Sequence, residues 1–202
     1  MIKFIYFDVG SVIVDNEHSK LSISQKHNIP FEKVQKVFEE NWKAGCSGTL
    51  SNQDYHAIVL RELGISHPSG DVTDLWAQYQ RPIIPTHEFI AELLATYRLG
   101  ILSNAEKNAL QKQMNKGHIP NVNWEVIIES AGYGVIKPDP KIYEIAESLV
   151  PDVAPHELFF IDDHIEMVEA ATKRGWHGEV FDPRKPTESI NNIKAKLHAL
   201  SI

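Results

Sequence analysis

The feature that most constrains this chain is a short apolar run near its start that ends in a carboxylate. The tetrapeptide Phe4–Phe7 is followed by Asp8, and Gly10 comes two residues later. The run is too apolar for a half-exposed strand and too short for a buried helix, so it predicts a central parallel strand covered on both faces. Ligands of open α/β sheets bind at the carboxyl ends of the strands, where a glycine permits close approach. Asp8 is therefore a candidate functional residue, although it could also simply cap a turn.

Further along the chain, short apolar runs alternate with helical patterns. This alternation predicts an α/β fold built on a doubly wound parallel (Rossmann-like) sheet. Amphipathic helices are predicted between the strands and in the tail from Thr187. Besides the first strand, the predicted strands cover residues 99–102, 126–128, 158–161 and 179–181.

Residues 17–85 interrupt this alternation because their pattern is helical throughout. Phe31, Val34, Phe38 and Trp42, for example, recur at spacings of three and four. We expect an all-helical cap over 17–85, inserted into a core made of residues 1–16 and 86–202. An insertion after the first strand would lie over the presumed site, where it could exclude water and select the substrate. The alternative is an insertion without a role in function.

Composition argues against several kinds of partner. The 202 residues carry a formal net charge of −7 and no basic cluster, whereas nucleic acids and anionic membranes attract a positive surface. Cys46 is the single cysteine, which excludes an internal disulfide and favours a reducing compartment. No leader-like segment or membrane-length apolar run is present. We therefore expect a cytoplasmic protein whose partner is neither nucleic acid nor membrane.

Three other fragments place polar residues at strand ends or before a helix, as the first strand does. The second strand ends in small polar residues, a lysine precedes a Pro-Asp-Pro helix start, and a later strand ends in paired carboxylates. Together the four fragments resemble the motifs of the haloacid dehalogenase-like (HAD) hydrolase superfamily. The resemblance covers the chain except for residues 17–85, where only the helical character matches. The residues that carry it are Asp8, Ser103, Asn104, Lys137, Asp162 and Asp163.

The resemblance implies a phosphatase that uses Asp8 as a nucleophile and forms an aspartyl phosphate, which water then cleaves. A Mg²⁺ cofactor could be held by Asp8, the carbonyl oxygen of Gly10, and the Asp162 and Asp163 carboxylates. Of these last two, the resemblance makes Asp163 the more direct ligand and leaves Asp162 as a ligand or as support behind the site.

The same resemblance assigns the remaining polar residues to the phosphoryl group. Lys137 would neutralise its oxygens, while Ser103 and Asn104 would donate hydrogen bonds to them. The expected partner is thus a small phosphorylated molecule, and the fragments predict that its phosphate lies at the carboxyl edge of the sheet.

The first motif departs from the pattern of most phosphatases in this superfamily. Those enzymes have a second aspartate two residues after the nucleophile, where this chain has Gly10. The Asp-x-Gly-x-Val form of the motif resembles a capped subgroup that includes sugar-phosphate phosphatases, so a sugar phosphate is the favoured substrate. One alternative is a haloacid dehalogenase, whose halide leaving group needs no proton but whose reaction needs no Mg²⁺. The other is a non-catalytic member that binds a phosphorylated ligand or a protein partner.

Overall fold

The computed structural model describes residues 1–66 and 68–201, and its centre is a five-stranded, fully parallel sheet. The strand order is β3-β2-β1-β4-β5, and every neighbouring pair runs parallel. The predicted Rossmann-like α/β fold is therefore confirmed. The strands are β1 (Phe4–Phe7), β2 (Arg98–Ser103), β3 (Val126–Glu129), β4 (Leu158–Asp162) and β5 (His177–Val180).

The central strand β1 is buried on both faces, as its continuous apolar sequence predicts. Ile5 and Phe7 pack into one buried cluster, whereas Phe4 and Tyr6 pack into a second cluster on the other face of the sheet. Successive side chains of a strand point to opposite faces, so only a strand covered by helices on both sides can be apolar at every position.

Nine α-helices are assigned within the described residues, and five of them alternate with the strands. These five are α5 (Ile84–Leu93), α6 (Ala109–Asn115), α7 (Pro140–Ser148), α8 (Ile165–Thr172) and α9 (Pro186–Ala199). Helix α6 begins four residues later than a helix over 105–116 would, because residues 105–108 form a loop in which Asn108 has a φ of 67°. Over the described part of the chain, no helix has both the length and the apolar character needed to cross a bilayer.

The other four helices lie between β1 and β2 and share a buried cluster of their own. Its members include Ile23, Val34, Val59 and Leu75. These helices are α1 (Asn16–His27), α2 (Phe31–Cys46), α3 (Asn52–Leu63) and α4 (Val72–Tyr79). Their presence confirms the helical character predicted for this segment. The division into a cap and a core stays a prediction, and its bounds include positions 67 and 202, which lie outside the described residues.

The two segments that connect α1–α4 to the sheet run side by side. The backbone N–H of Asp15 donates to the carbonyl oxygen of Arg81 at 3.0 Å, and the Arg81 guanidinium pairs with the Asp15 carboxylate at 2.9 Å. Val14 and Pro82 form an isolated bridge beside them. Adjacent connections of this kind are where a cap would hinge against a core.

We predict that Gly100→Ala destabilises the protein because β2 has no room for a side chain at this position. A Cβ at Gly100 would lie 2.8 Å from the Phe4 ring and 2.9 Å from the Tyr6 ring, and both rings are buried. Overpacking of this kind costs about 1–3 kcal/mol, measurable as a lower midpoint of urea denaturation. The matched control is Gly132→Ala, whose added Cβ meets no described atom within 4 Å and should stay within about 0.5 kcal/mol. Equal effects of the two substitutions would contradict this packing.

Candidate functional site

Three parallel strands deliver polar side chains to the same edge of the sheet. Asp8 directly follows β1, Ser103 is the last residue of β2, and Asp162 is the last residue of β4. Because Phe7 is in register with Ile101 on one side and Ile161 on the other, Asp8 lies level with Asp162, and Ser103 lies one residue further along its strand. All three are buried, so their polar atoms meet each other or the cavity above rather than bulk water.

Lys137 joins two of these carboxylates. Its Nζ lies 2.8 Å from Asp8 Oδ1 and 2.6 Å from Asp162 Oδ2, and only 2% of the lysine is exposed. A buried ammonium group is strongly disfavoured unless it is paired and hydrogen-bonded, so these contacts determine where the lysine can lie. The structure thus brings together residues that are far apart in the sequence, as the motifs predict.

Asn104 holds Lys137 in place through the lysine backbone. The Asn104 Oδ1 atom accepts from the Lys137 N–H at 2.8 Å, and its Nδ2 donates to the Lys137 carbonyl oxygen at 3.1 Å. The sequence predicts Asn104 as a phosphate ligand, and this double contact gives it a positioning role in addition. The Ser103 hydroxyl lines the cavity and has no hydrogen-bond partner among the described residues, so it is free to meet a ligand.

The charges of this cluster influence one another because water is excluded. Burial raises the pKa of Asp8, and the neighbouring Asp162 raises it further, while the Lys137 ammonium group opposes both. Burial alone would lower the pKa of Lys137, but the carboxylates of Asp162 and Asp8 outweigh burial and raise it. The cluster therefore keeps its ammonium group charged and in contact with both carboxylates.

The paired carboxylates after β4 have different surroundings. Asp162 is almost fully buried, and while one oxygen contacts Lys137, the other accepts from the backbone N–H of His164 at 2.9 Å. Asp163 is partly exposed and contacts His164 Nδ1 at 2.9 Å, a hydrogen bond that raises the pKa of His164 to about 9. Ligand atoms of these three residues lie within 4.8 Å of one another. Sequence reasoning missed His164, whose only signal was its position next to paired carboxylates.

Gly10 lies in a tight turn against the first residue of α1. A Cβ at Gly10 would lie 2.3 Å from Nδ2 of Asn16, so the asparagine side chain occupies the space beside this glycine. The carbonyl oxygen of Gly10 has no hydrogen-bond donor among the described residues. Sequence reasoning also missed Asn16, because no local pattern indicates that it folds back over Gly10.

A cavity of about 720 Å³ lies above this edge of the sheet, between it and helices α1–α4. The sheet side contributes the polar cluster, and the helices contribute mainly aromatic and polar side chains. Helices α1–α4 therefore line the side of the cavity that faces the sheet edge. The residues that line the cavity from the helices include Phe31, Gln35, Phe38, Trp42, Tyr55 and Trp76.

Comparison with known proteins shows which solved structures share this fold. No protein-family model and no curated protein matches the sequence, whereas solved structures do match. A HAD-family enzyme from Bacteroides thetaiotaomicron, solved with magnesium and inorganic phosphate, has a TM-score of 0.72 at 18% identity, covering 91% of this chain and 96% of its own. The chain has the fold of HAD-family enzymes.

Two other matches share this fold, and one of them is a haloacid dehalogenase. A predicted HAD-like hydrolase from Porphyromonas gingivalis has a TM-score of 0.70 at 22% identity, covering 91% of this chain and 92% of its own. An L-2-haloacid dehalogenase from Xanthobacter autotrophicus, solved with chloropropionic acid covalently bound, has a TM-score of 0.69 at 21% identity, covering 90% and 78%. At this level of identity the likeness establishes the HAD fold, and the reaction has to be argued from the site.

We predict that Lys137→Met destabilises the protein in a chelating buffer, because it leaves Asp8 and Asp162 buried without their cation. Removing one partner of a buried ion pair costs about 3–5 kcal/mol, which urea denaturation would detect. The control is Lys20→Met, since Lys20 lines the cavity but has no ion pair among the described residues. Its stability should change by about 0.5 kcal/mol or less. A Lys137→Met protein as stable as the control would show that the ion pairs do not hold this site together.

Proposed function

We propose that this protein is a Mg²⁺-dependent phosphatase that hydrolyses a small phosphorylated metabolite, with a sugar phosphate favoured, through an aspartyl-phosphate intermediate. The observation that carries the proposal is the contact of Lys137 with both Asp8 and Asp162 at the floor of the covered cavity. A nucleophile, a cation and further carboxylates lie at one edge, as phosphoryl transfer requires. The HAD fold, which solved hydrolases share, supports the proposal. A cytoplasmic location stays a prediction of the sequence.

The residues at this edge fit a Mg²⁺ ion. Asp8, Asp162 and Asp163 supply three carboxylates against two cationic groups, the ammonium of Lys137 and the ring of His164, so the excess of carboxylates favours a further cation. The second oxygen of Asp163 and the carbonyl oxygen of Gly10 have no described hydrogen-bond donor, and oxygen atoms are the ligands that Mg²⁺ prefers.

We infer that Asp8, Gly10 and Asp163 would hold the ion directly, because both oxygens of Asp162 are already engaged. Asp162 would then support the site from behind, by fixing Lys137. When bound, the ion would supply positive charge that offsets the repulsion between the Asp8 carboxylate and the phosphoryl group.

In the proposed reaction, a carboxylate oxygen of Asp8 attacks phosphorus, and the bond from phosphorus to the leaving oxygen breaks. Lys137 and the Ser103 hydroxyl would stabilise the charge on the phosphoryl oxygens. Water then attacks the same phosphorus, which releases inorganic phosphate and restores the Asp8 carboxylate. Asn16 lies beside Gly10, where most related phosphatases have an acid, and its amide can donate a hydrogen bond but is too weak an acid to transfer a proton. The natural substrate is therefore expected to have a good leaving group.

Two alternatives use the same cavity. A haloacid dehalogenase is favoured by the absence of an acid at Gly10, and solved proteins of this fold include such enzymes. The pair Asp162 and Asp163 argues against it, because halide displacement needs no metal. A non-catalytic member that binds a phosphorylated ligand or a protein partner would keep the fold without turnover. Turnover measured on phosphate esters and on haloacids distinguishes the phosphatase, the dehalogenase and the binding protein.

We predict that Asp8→Asn lowers Mg²⁺-dependent phosphate release by at least ~10³-fold, because it removes the nucleophile without a change in side-chain volume. The assay compares sugar, acyl and aryl phosphates with a panel of haloacids. The control is Asp152→Asn, an exposed carboxylate at the opposite edge of the sheet, which should keep wild-type rates. Wild-type rates in Asp8→Asn would exclude the covalent mechanism. Turnover of haloacids alone would favour the dehalogenase, and no turnover of either class would favour the binding protein.

We predict that Asp163→Ala weakens Mg²⁺ binding by about 10–100-fold, because one of few oxygen ligands is lost. Two readouts check this expectation: the Mg²⁺ concentration for half-maximal phosphate release, and the Mg²⁺-dependent rise in melting temperature, which follows binding without turnover. Glu166→Ala is the control, since Glu166 is an exposed carboxylate that lines the same cavity. Full activity of the wild-type protein in a chelator would be incompatible with the proposed cofactor.

A further inference from the structure

A buried histidine of α3 fixes a glutamate of the sheet side inside the cavity. His56 Nε2 forms a short hydrogen bond with Glu106 Oε2, and Thr73 Oγ1 of α4 donates to the same oxygen at 3.2 Å. The other ring nitrogen of His56 lies 3.5 Å from Asp71 Oδ1. His56 is 5% exposed, and the Glu106 side chain is 11% exposed. Two residues of the helical segment therefore hold the glutamate in one orientation.

The second oxygen of Glu106 is available to a ligand. Glu106 lines the same cavity as Asp8, and none of the described residues donates a hydrogen bond to its Oε1. Water in the cavity can reach this oxygen, and a ligand that displaces the water has to replace its hydrogen bond. An ionised carboxylate can only accept hydrogen bonds. A ligand group that binds this oxygen must therefore be a donor, with an N–H or O–H group.

Two buried glutamines in the same cavity also have a side-chain oxygen without a described hydrogen-bond partner. Gln80 and Gln113 are each more than nine-tenths buried, their Oε1 atoms have no described partner, and both residues line the cavity. A side-chain amide can rotate to donate or accept, so these two groups suit an uncharged polar ligand.

Helix α4 arranges these groups along one wall. Thr73 lies in its first turn and Gln80 directly follows its last residue, a separation of about 10 Å at 1.5 Å per residue. Trp76 lies between them, lines the cavity, and packs edge-on against Phe38 with ring centroids 4.6 Å apart. An aromatic surface flanked by polar groups is suited to a ligand with an apolar face and several hydroxyl or amino groups.

The negative charge of Glu106 also limits which ligands can bind at this wall of the cavity. A second anionic group on the ligand would meet Glu106, and Lys137 is already engaged by Asp8 and Asp162. Lys20 is the other lysine that lines the cavity, but it belongs to α1 and forms no ion pair with Glu106 among the described residues. Near Glu106, repulsion of an anion is therefore expected.

We propose that Glu106 is a specificity-determining residue, whose free oxygen accepts a hydrogen bond from a hydroxyl or ammonium group on the leaving part of the substrate. The same carboxylate disfavours substrates that carry a second anionic group there. Gln80, Gln113 and Trp76 would contact the rest of the leaving part. The proposal rests on the phosphatase function proposed above and narrows its substrate to a phosphate ester with a donor-bearing, non-anionic leaving group.

The test compares three small phosphate esters that differ in the group they present to this wall. Glycerol 3-phosphate offers a terminal hydroxyl, phosphoethanolamine an ammonium group, and 3-phosphoglycerate a carboxylate in place of the hydroxyl. For the wild-type protein we expect a kcat/KM for at least one of the first two that exceeds that for 3-phosphoglycerate by about 10–100-fold. The ratio of the first two distinguishes a hydroxyl ligand from an ammonium ligand.

Glu106→Gln tests the residue itself, because it keeps the volume and an oxygen that can accept from His56 and Thr73 but removes the charge. We expect the preference over 3-phosphoglycerate to fall by at least ~10-fold, mainly through a lower KM for 3-phosphoglycerate. The matched control, Glu39→Gln, neutralises an exposed carboxylate at the rim of the cavity and should leave the preference unchanged. An unchanged preference in Glu106→Gln would overturn the proposal.

Two further measurements test the role of Glu106 even if the protein has no phosphatase activity or the Glu106→Gln variant does not fold. Calorimetric binding of the three esters to the Asp8→Asn protein reports the preference without turnover, so it decides the inference even if no ester is hydrolysed. Wild-type protein that binds and hydrolyses 3-phosphoglycerate as well as the other esters would overturn the proposal without any variant. Loss of 3-phosphoglycerate binding in Lys20→Met would also count against it, since an anion would then be recognised rather than excluded.

Discussion

The structure of the candidate site depends on one buried cation. Lys137 is almost completely removed from water, and it lies between two carboxylates that would repel each other without it. Its loop is held by the side chain of Asn104, so the ends of three different segments must be correctly placed before the lysine can enter. A buried ion pair of this kind is weak evidence for stability, because desolvation offsets most of the attraction. Its value here is positional, since it fixes Asp8 at the floor of the cavity.

The helical segment is tied to the same loops that carry the site. Cys46 Sγ contacts the Asn104 carbonyl oxygen at 3.3 Å, and Ser130 Oγ donates to the Cys46 carbonyl oxygen at 2.6 Å. His56 reaches the Glu106 carboxylate nearby. These contacts are made with the loops after β2 and β3, so a movement of the helices would displace residues next to Asn104 and Lys137. The position of the helices and the arrangement of the polar cluster are therefore physically coupled.

The fold by itself leaves the reaction open, because it is shared by a haloacid dehalogenase and by an enzyme solved with magnesium and inorganic phosphate. What distinguishes the chemistries is the charge around the nucleophile. Asp162 and Asp163 add negative charge that a reaction without metal does not require, and this excess is the reason to favour a Mg²⁺-dependent phosphatase. The absence of an acid at Gly10 restricts the leaving group rather than the class of reaction. Specificity would then come from the wall around Glu106, which belongs to both the sheet and the helices.

The sequence by itself determined the sheet and the residues at its edge. A continuous apolar strand must be buried on both faces, and a polar residue at its end must emerge at the carboxyl edge, so Asp8, Ser103 and Asp162 could be placed from local pattern alone. Only the tertiary structure decided how these residues pair. Three contacts join segments that are distant in the sequence, and no local pattern predicts any of them. They are the contacts of Asn104 with Lys137, of His56 with Glu106, and of Asn16 with the space beside Gly10. Their positions follow from how loops and helices pack around the finished sheet, which no residue spacing encodes.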